Sequence, residues 1–137
     1  MAEILVIDDD DDVRSLVIDI LDAAGHRTRE APDGDCGMAL CRATRPAVVI
    51  TDILMPEKEG LGLIRELSRE MPDVAILAMT GAGNPAVYLR AAGLFGAVAL
   101  LSKPFDPDEL LRAVEAALHG MAASDEPGSA RPAGTSA

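Results

Sequence analysis

The sequence predicts an α/β fold, a parallel sheet covered by helices on both faces, and three observations carry that prediction. Short apolar runs recur at Ile4–Ile7, Val48–Ile50, Val74–Met79 and Val98–Leu101, each followed by polar or glycine-containing sequence. Amphipathic stretches with apolar residues three and four apart fall between these runs. Runs that are apolar throughout suit strands buried on both faces, and a regular βα alternation with short loops implies right-handed parallel crossovers.

Taken in order, Ile4-Leu5-Val6-Ile7 is the first strand. Val13, Leu16, Val17, Ile20, Leu21 and Ala24 then follow at helical spacing, and Gly25 marks the stop. His26 to Glu30 reads as a short polar edge strand, and Asp33 to Ala43 as a helix carrying Met38, Ala39 and Leu40. Val48–Ile50 is the third strand, and Leu61, Ile64, Leu67 and Met71 mark the third helix. After the Val74–Met79 strand, Pro85 to Ala92 reads as a shorter helix, with proline at its start and Gly93 after it. The Val98–Leu101 strand precedes Asp106-Pro107-Asp108-Glu109, where an N-cap, a proline at the first helical position and an acid three residues past the cap coincide. Leu111, Val114 and Leu118 continue that helix's apolar face. Residues 1–119 therefore read as one domain. Residues 120–137 contain no Leu, Ile, Val or aromatic side chain and read as a disordered tail.

The 137 residues suffice for a single core. Twelve Lys and Arg against 23 Asp and Glu leave a net charge of −11, which a duplex or an anionic membrane repels, so no nucleic-acid or membrane partner is expected. The longest uncharged stretches, Val74 to Leu89 and Ala91 to Ser102, fall short of the ~20 apolar residues of a membrane span. Met1-Ala2-Glu3 leads straight into the first strand with no basic start or cleavage site, as expected of a cytoplasmic protein. Cys36 and Cys41 have neither zinc-ligand nor redox-pair spacing and read as reduced packing thiols. His26 and His119 carry no pattern that singles them out for phosphoryl chemistry.

Ligands of an open parallel sheet bind beyond the carboxyl ends of its strands. There the first strand is followed by Asp8-Asp9, the third by Thr51-Asp52, the fourth by Thr80-Gly81 and the fifth by Ser102-Lys103-Pro104. Three carboxylates with one ammonium and a hydroxyl suit a hard divalent cation such as Mg²⁺ beside an oxyanion, and so a phosphoryl acceptor. Like charges ~4 Å apart repel by about 4 kcal/mol at an effective dielectric of 20, which favours a bound cation. Asp11 and Asp12 read instead as acids favoured at a helix start, and Asp10 as loop.

These strings carry a resemblance. Ile4-Leu5-Val6-Ile7-Asp8-Asp9, Thr51-Asp52-Ile53-Leu54-Met55-Pro56 with Gly60, Met79-Thr80-Gly81, and Ser102-Lys103-Pro104-Phe105 resemble the four motifs of stand-alone response-regulator receiver domains, in order, over residues 3 to 118. The resemblance implies a flavodoxin-like (CheY-like) sheet of order 2-1-3-4-5. It implies phosphorylation of Asp52 by a histidine kinase or histidine phosphotransfer protein, with Mg²⁺ held by Asp8, Asp9, Asp52 and the backbone carbonyl of Leu54. Lys103 and Thr80 would bind the phosphoryl group, Met55, Pro56 and Gly60 would shape the loop after Asp52, and Pro104 would follow a cis peptide. Leu100 stands where receivers often carry an aromatic switch residue, and Leu54 and Ala82 supply no side chain to orient an attacking water. The expected function is a two-component signalling or phosphorelay step with no external small-molecule product. Its output is expected to pass by protein contact through the fourth helix, with Tyr88, the fifth strand, with Leu100, and the fifth helix, with Thr80 as the main coupling residue, to a downstream protein or a phosphorylation-dependent homodimer. Two other classes share the acids: a Mg²⁺-dependent phosphohydrolase, which needs its nucleophile on the first strand and acids after the fourth, and an interaction module that is never phosphorylated. Thr80-Gly81-Ala82-Gly83 supplies no such acid.

Overall fold

Strands and helices alternate without exception along β1 (Glu3–Ile7), α1 (Asp11–Ala23), β2 (Arg27–Ala31), α2 (Gly34–Ala43), β3 (Val48–Asp52), α3 (Gly60–Glu70), β4 (Ala75–Thr80), α4 (Pro85–Phe95), β5 (Ala99–Ser102) and α5 (Pro107–Ala123) in the computed structural model, which describes residues 2–53, 60–81 and 85–123. All strand pairs are parallel, in the order β2-β1-β3-β4-β5. The alternating side chains of the central strands feed two cores. Leu5, Ile7, Val49 and Ile76 pack with α2 and α3 through Met38, Cys41, Leu63, Ile64 and Leu67. Ile4, Val6, Ile50 and Leu77 pack on the other face with Val17 and Leu21 of α1 and Leu110 and Val114 of α5. Each such side chain, fully buried, contributes roughly 1.5–3 kcal/mol, so both faces of the sheet need their helical cover.

Local signals explain the helix starts. Asp106 and Glu109 form a reciprocal capping box: the Glu109 N–H donates to Asp106 Oδ1 at 2.8 Å and the Asp106 N–H to Glu109 Oε1 at 2.9 Å. Asp33 caps α2 by accepting from the Cys36 N–H at 2.8 Å. Asp10, read from the sequence as loop, is the N-cap of α1 and accepts from the amides of Asp12 and Val13. The predicted strands at residues 26–30, 74–79 and 98–101 each lie one residue further along in the structure. Apolarity marks burial, whereas a strand ends where its ladder of hydrogen bonds ends.

Three expectations need correction. The fourth helix does not stop at Gly93 but runs to Phe95, and Gly96, with φ +129°, makes the turn that follows. Leu16 keeps the helical spacing yet is 52% exposed, because the buried stripe of α1 centres on Val17 and Leu21. The fifth helix continues to Ala123, four residues past the domain boundary at 119. Alanine is an excellent helix former and needs no core to extend a turn. Cys36 and Cys41 are free thiols packed in or against the α2 side of the core, as expected.

Gly60 shows how closely the loop end approaches the sheet. Its N–H donates to the Ile53 carbonyl at 2.7 Å, and a Cβ there would lie 2.1 Å from the Asp52 carbonyl oxygen and 2.5 Å from the Ile53 Cα. Backbone on both sides cannot yield, so Gly60→Ala should destabilise the protein by about 3 kcal/mol. Gly62→Ala, in the same helix but with nothing within 4 Å of its Cβ, should stabilise by roughly 0.5–1 kcal/mol. Urea denaturation of the two variants checks the opposite signs.

Candidate functional site

The sheet order places β1 and β3 side by side, with the chain crossing over in opposite directions from that point. Ile7 pairs with Thr51 across it, so Asp8 and Asp52, one residue further on, lie next to each other at the carboxyl edge. Thr80 on β4 pairs with Ser102 on the adjacent β5, which brings Lys103 to the same edge, its N–H donating to the Thr80 carbonyl at 2.7 Å. Residues up to 95 positions apart in sequence thus meet through strand register alone.

The side chains converge as the topology requires. Asp8 is wholly buried, Asp52 and Thr80 nearly so, and Asp9 is exposed at the rim. Lys103 Nζ donates to Asp8 Oδ2 at 3.1 Å and to Asp52 Oδ2 at 3.2 Å, bridging the two strands. Asp8 Oδ1 accepts from the Asp10 N–H at 2.9 Å. Asp8, Asp9 and Asp52 each offer one carboxylate oxygen within 4.8 Å of the others. Oxygens around an octahedral ion at ~2.1 Å lie about 3 to 4.2 Å apart, so small side-chain rotations would seat Mg²⁺ among these three. The Lys103–Pro104 peptide is cis.

The electrostatics favour a cation. Three carboxylates and Lys103 sum to two negative charges, which a divalent ion would neutralise. Burial pushes the Asp8 carboxyl above the ordinary carboxylate range; the Asp10 amide and the Lys103 charge pull it down, and the neighbouring Asp52 charge pushes it up again. Burial draws Lys103 the other way, but the charges of Asp52 and Asp8 and its hydrogen bonds to both outweigh that cost and hold it above the usual lysine value. Lys103 therefore stays an ammonium at neutral pH.

The structure brings together Asp8, Asp9, Asp52, Thr80 and Lys103, with Gly60 and Pro104 at their margins. Leu54, Met55 and Pro56 lie outside the described residues. Tyr88 falls within α4, with its side chain likewise outside them. Leu100 stands on β5 and is 43% exposed. His26 Nδ1 accepts from the Ala2 N–H at 3.1 Å, and His119 lies 3.8 Å from Glu115, both far in sequence and role from the acids. What sequence reading missed is an apolar pocket of about 320 Å³ beside the site, lined by Val13, Leu16, Lys103, Pro104 and Phe105. Leu16 reads as one more core residue until its exposure is seen.

Comparison with known proteins follows the same lines. Residues 4–115 match the model of the response regulator receiver domain. The chain is 36% identical over 121 residues to the nitrogen assimilation regulatory protein NtrX of Azorhizobium caulinodans, covering 87% of this chain and 26% of that protein. It is 34% identical to the DNA-binding transcriptional regulator NtrC of Azospirillum brasilense, covering 96% of this chain and 26% of that one. The crystal structure of the receiver domain of NtrX from Brucella abortus superposes with a TM-score of 0.81 at 36% identity, covering 85% of this chain and 98% of that domain. The chain spans from about a quarter to about half the length of such curated relatives. Because one of them is named a DNA-binding regulator, the expectation that nucleic acid plays no part has no support from these comparisons. Among the described residues no helix is long and apolar enough to cross a membrane.

The raised pKa of Asp8 fixes the sign of one prediction. A group whose folded-state pKa exceeds its unfolded value stabilises the protein most at low pH, and that contribution is lost as pH rises through the folded pKa. Ionised Asp8 therefore costs stability at neutral pH unless a cation offsets it. Asp8→Asn should melt a few degrees above wild type in a chelator, equivalent to about 1 kcal/mol. Added Mg²⁺ should raise the wild-type melting temperature and erase the difference. Thermal melts with chelator and with Mg²⁺ read both effects.

Proposed function

The chain belongs to the response regulator receiver domain family, and on that premise we propose that it is a phosphorylation-controlled switch whose acceptor is Asp52. The observation that carries this reading is the pair of contacts from Lys103 to Asp8 and Asp52, at the point where β4 contributes Thr80 and Asp9 follows Asp8 beyond β1. An Asp52 carboxylate oxygen attacks the phosphorus of a phosphohistidine. The nitrogen–phosphorus bond breaks with its electron pair going to the imidazole, and an acyl phosphate forms on Asp52. Lys103 pairs with a phosphoryl oxygen, replacing its present contact with the carboxylate, and Thr80 donates its hydroxyl to another. Asp8 and Asp9, with Asp52, hold Mg²⁺. When bound, the ion neutralises charge that develops on the transferring group. Water hydrolyses the acyl phosphate in the return step, so the chemistry is confined to the protein's own Asp52.

The pocket lined by Val13, Leu16, Pro104 and Phe105 adjoins Lys103, and it suits an apolar ridge of the phosphodonor, a histidine kinase or phosphotransfer protein. On the far side of the sheet edge, Leu94, Val98 and Leu100 are all exposed and give the output face its apolar character. A downstream protein or a second phosphorylated copy binds there. A phosphoryl group adds about −1.5 to −2 of charge beside Thr80, which can draw the following loop inward and shift α4. Leu100 has no ring to swap between solvent and core, which makes Thr80 the coupling residue. The setting is cytoplasmic, where the phosphodonor's kinase domain works.

Incubation with acetyl phosphate and Mg²⁺, followed by intact mass measurement, tests the assignment. Wild type should gain one phosphoryl group, Asp52→Asn should gain none, and omission of Mg²⁺ should suppress labelling strongly. Equal labelling of the two proteins would move the acceptor elsewhere.

A further inference from the structure

Asp9 is the exposed member of the acidic trio, and where its carboxylate goes depends on the peptide that joins it to Asp8. That peptide is held through its oxygen. The Asp8 carbonyl accepts from Arg14 Nη1 at 2.6 Å, and the preceding peptide is anchored by the Asp8 N–H, which donates to the Ala31 carbonyl at 3.2 Å. Arg14 reaches back from α1 to make this bond, while its Nε donates to Glu30 Oε1 on β2 at 2.8 Å and its Nη2 pairs with Asp11. The Arg14 side chain is only 12% exposed although Asp11 beside it is 82% exposed, so the guanidinium is wedged between β1, β2 and α1. Its planar fork reaches three separated acceptors from three different nitrogens, whereas a lysine donates from a single one.

The Asp8 carbonyl and the Asp9 nitrogen belong to one rigid peptide plane, so holding the oxygen fixes the direction in which the chain leaves toward Asp9. We propose that Arg14 is a positioning residue for the divalent-cation site: by gripping the Asp8 carbonyl it orients the Asp8–Asp9 peptide so that the Asp9 carboxylate faces those of Asp8 and Asp52. This rests on the reading of that trio as a Mg²⁺ site. Charge and geometry make opposite demands on Arg14. As a cation near a cation site it weakens Mg²⁺ binding, so by charge alone its removal tightens the site. As a clamp it strengthens binding, so its removal loosens the site.

Mg²⁺ titration of the full chain by calorimetry separates the two, with wild type, Arg14→Ala, Arg14→Lys and Asp9→Ala each studied at a temperature where circular dichroism shows it folded. Arg14→Ala should raise the Kd for Mg²⁺ about 10-fold, equivalent to ~1.4 kcal/mol. Arg14→Lys keeps the charge but loses the fork, and should weaken binding several-fold. In the metal-free protein both variants should shift the Asp9 amide resonance. A role in stability alone would lower the melting temperature and leave the Kd of the folded protein untouched. Arg14→Ala binding Mg²⁺ as tightly as wild type, or more tightly, overturns the proposal; if that variant does not fold, an unchanged Kd in Arg14→Lys overturns it instead. Asp9→Ala reports on the premise separately. If it loses affinity, the trio is a metal site whatever Arg14 does, and if it binds like wild type the site and the positioning role fall together.

Discussion

Two buried carboxylates side by side, held by one ammonium, are the constraint around which this molecule is organised. Asp8 and Asp52 stand at the ends of adjacent strands of a sheet covered on both faces, Asp8 wholly buried and Asp52 nearly so. Lys103 bridges them from β5, beyond β4, so the whole width of the sheet from β1 to β5 must be in register for the charges to balance. Burial holds the Asp8 carboxyl above the ordinary carboxylate range, and three carboxylates against one ammonium leave the site an excess of negative charge. An arrangement that is slightly unfavourable when empty responds strongly to a cation or a phosphoryl group, because each changes the sign or size of the local charge by one or two units.

The surrounding backbone turns that charge cluster into a defined geometry. Gly60 lets α3 begin against the Asp52 and Ile53 backbone, where any side chain would collide. Asp10 ends the β1–α1 connection by capping α1, and its own N–H braces Asp8 Oδ1. Arg14 braces the Asp8 carbonyl from the next turn of the same helix. The acid run from Asp8 to Asp12, uniform in sequence, thus divides by role. Asp8 is a buried site residue, Asp9 a rim residue, Asp10 a cap, and Asp11 and Asp12 are first-turn acids that suit the positive end of the helix dipole.

The molecule carries two apolar surfaces, one beside the site and one reaching toward the opposite edge of the sheet. One is the pocket between α1 and the segment after Lys103, and the other is the end of α4 with β5. A signalling domain that works by contact needs one face toward the source of its phosphoryl group and another toward its target, and separation of the two lets a single site serve both. The Arg65 guanidinium over the Phe95 ring, 5.8 Å from its centroid, ties the end of α4 to α3.

Legible along the chain alone are the alternation of strands and helices, the capping box of α5, the family motifs, and the acids and lysine at the strand ends. Those signals are local or periodic: an apolar run, a three-four spacing, a cap residue three positions before its partner. Gly60 is legible as a motif residue, but the collision that demands it appears only when the Asp52 backbone is in place beside it. The folded chain was needed to reveal that α4 runs past Gly93, that Leu16 and Leu100 are exposed, and that Arg14, an unremarked cation in an amphipathic helix, grips the carbonyl of a site residue. A side chain's helical or strand phase can be counted from sequence, but whether a neighbour covers it, and which distant backbone atom its polar end reaches, depends on elements that meet only when the sheet closes in the order β2-β1-β3-β4-β5.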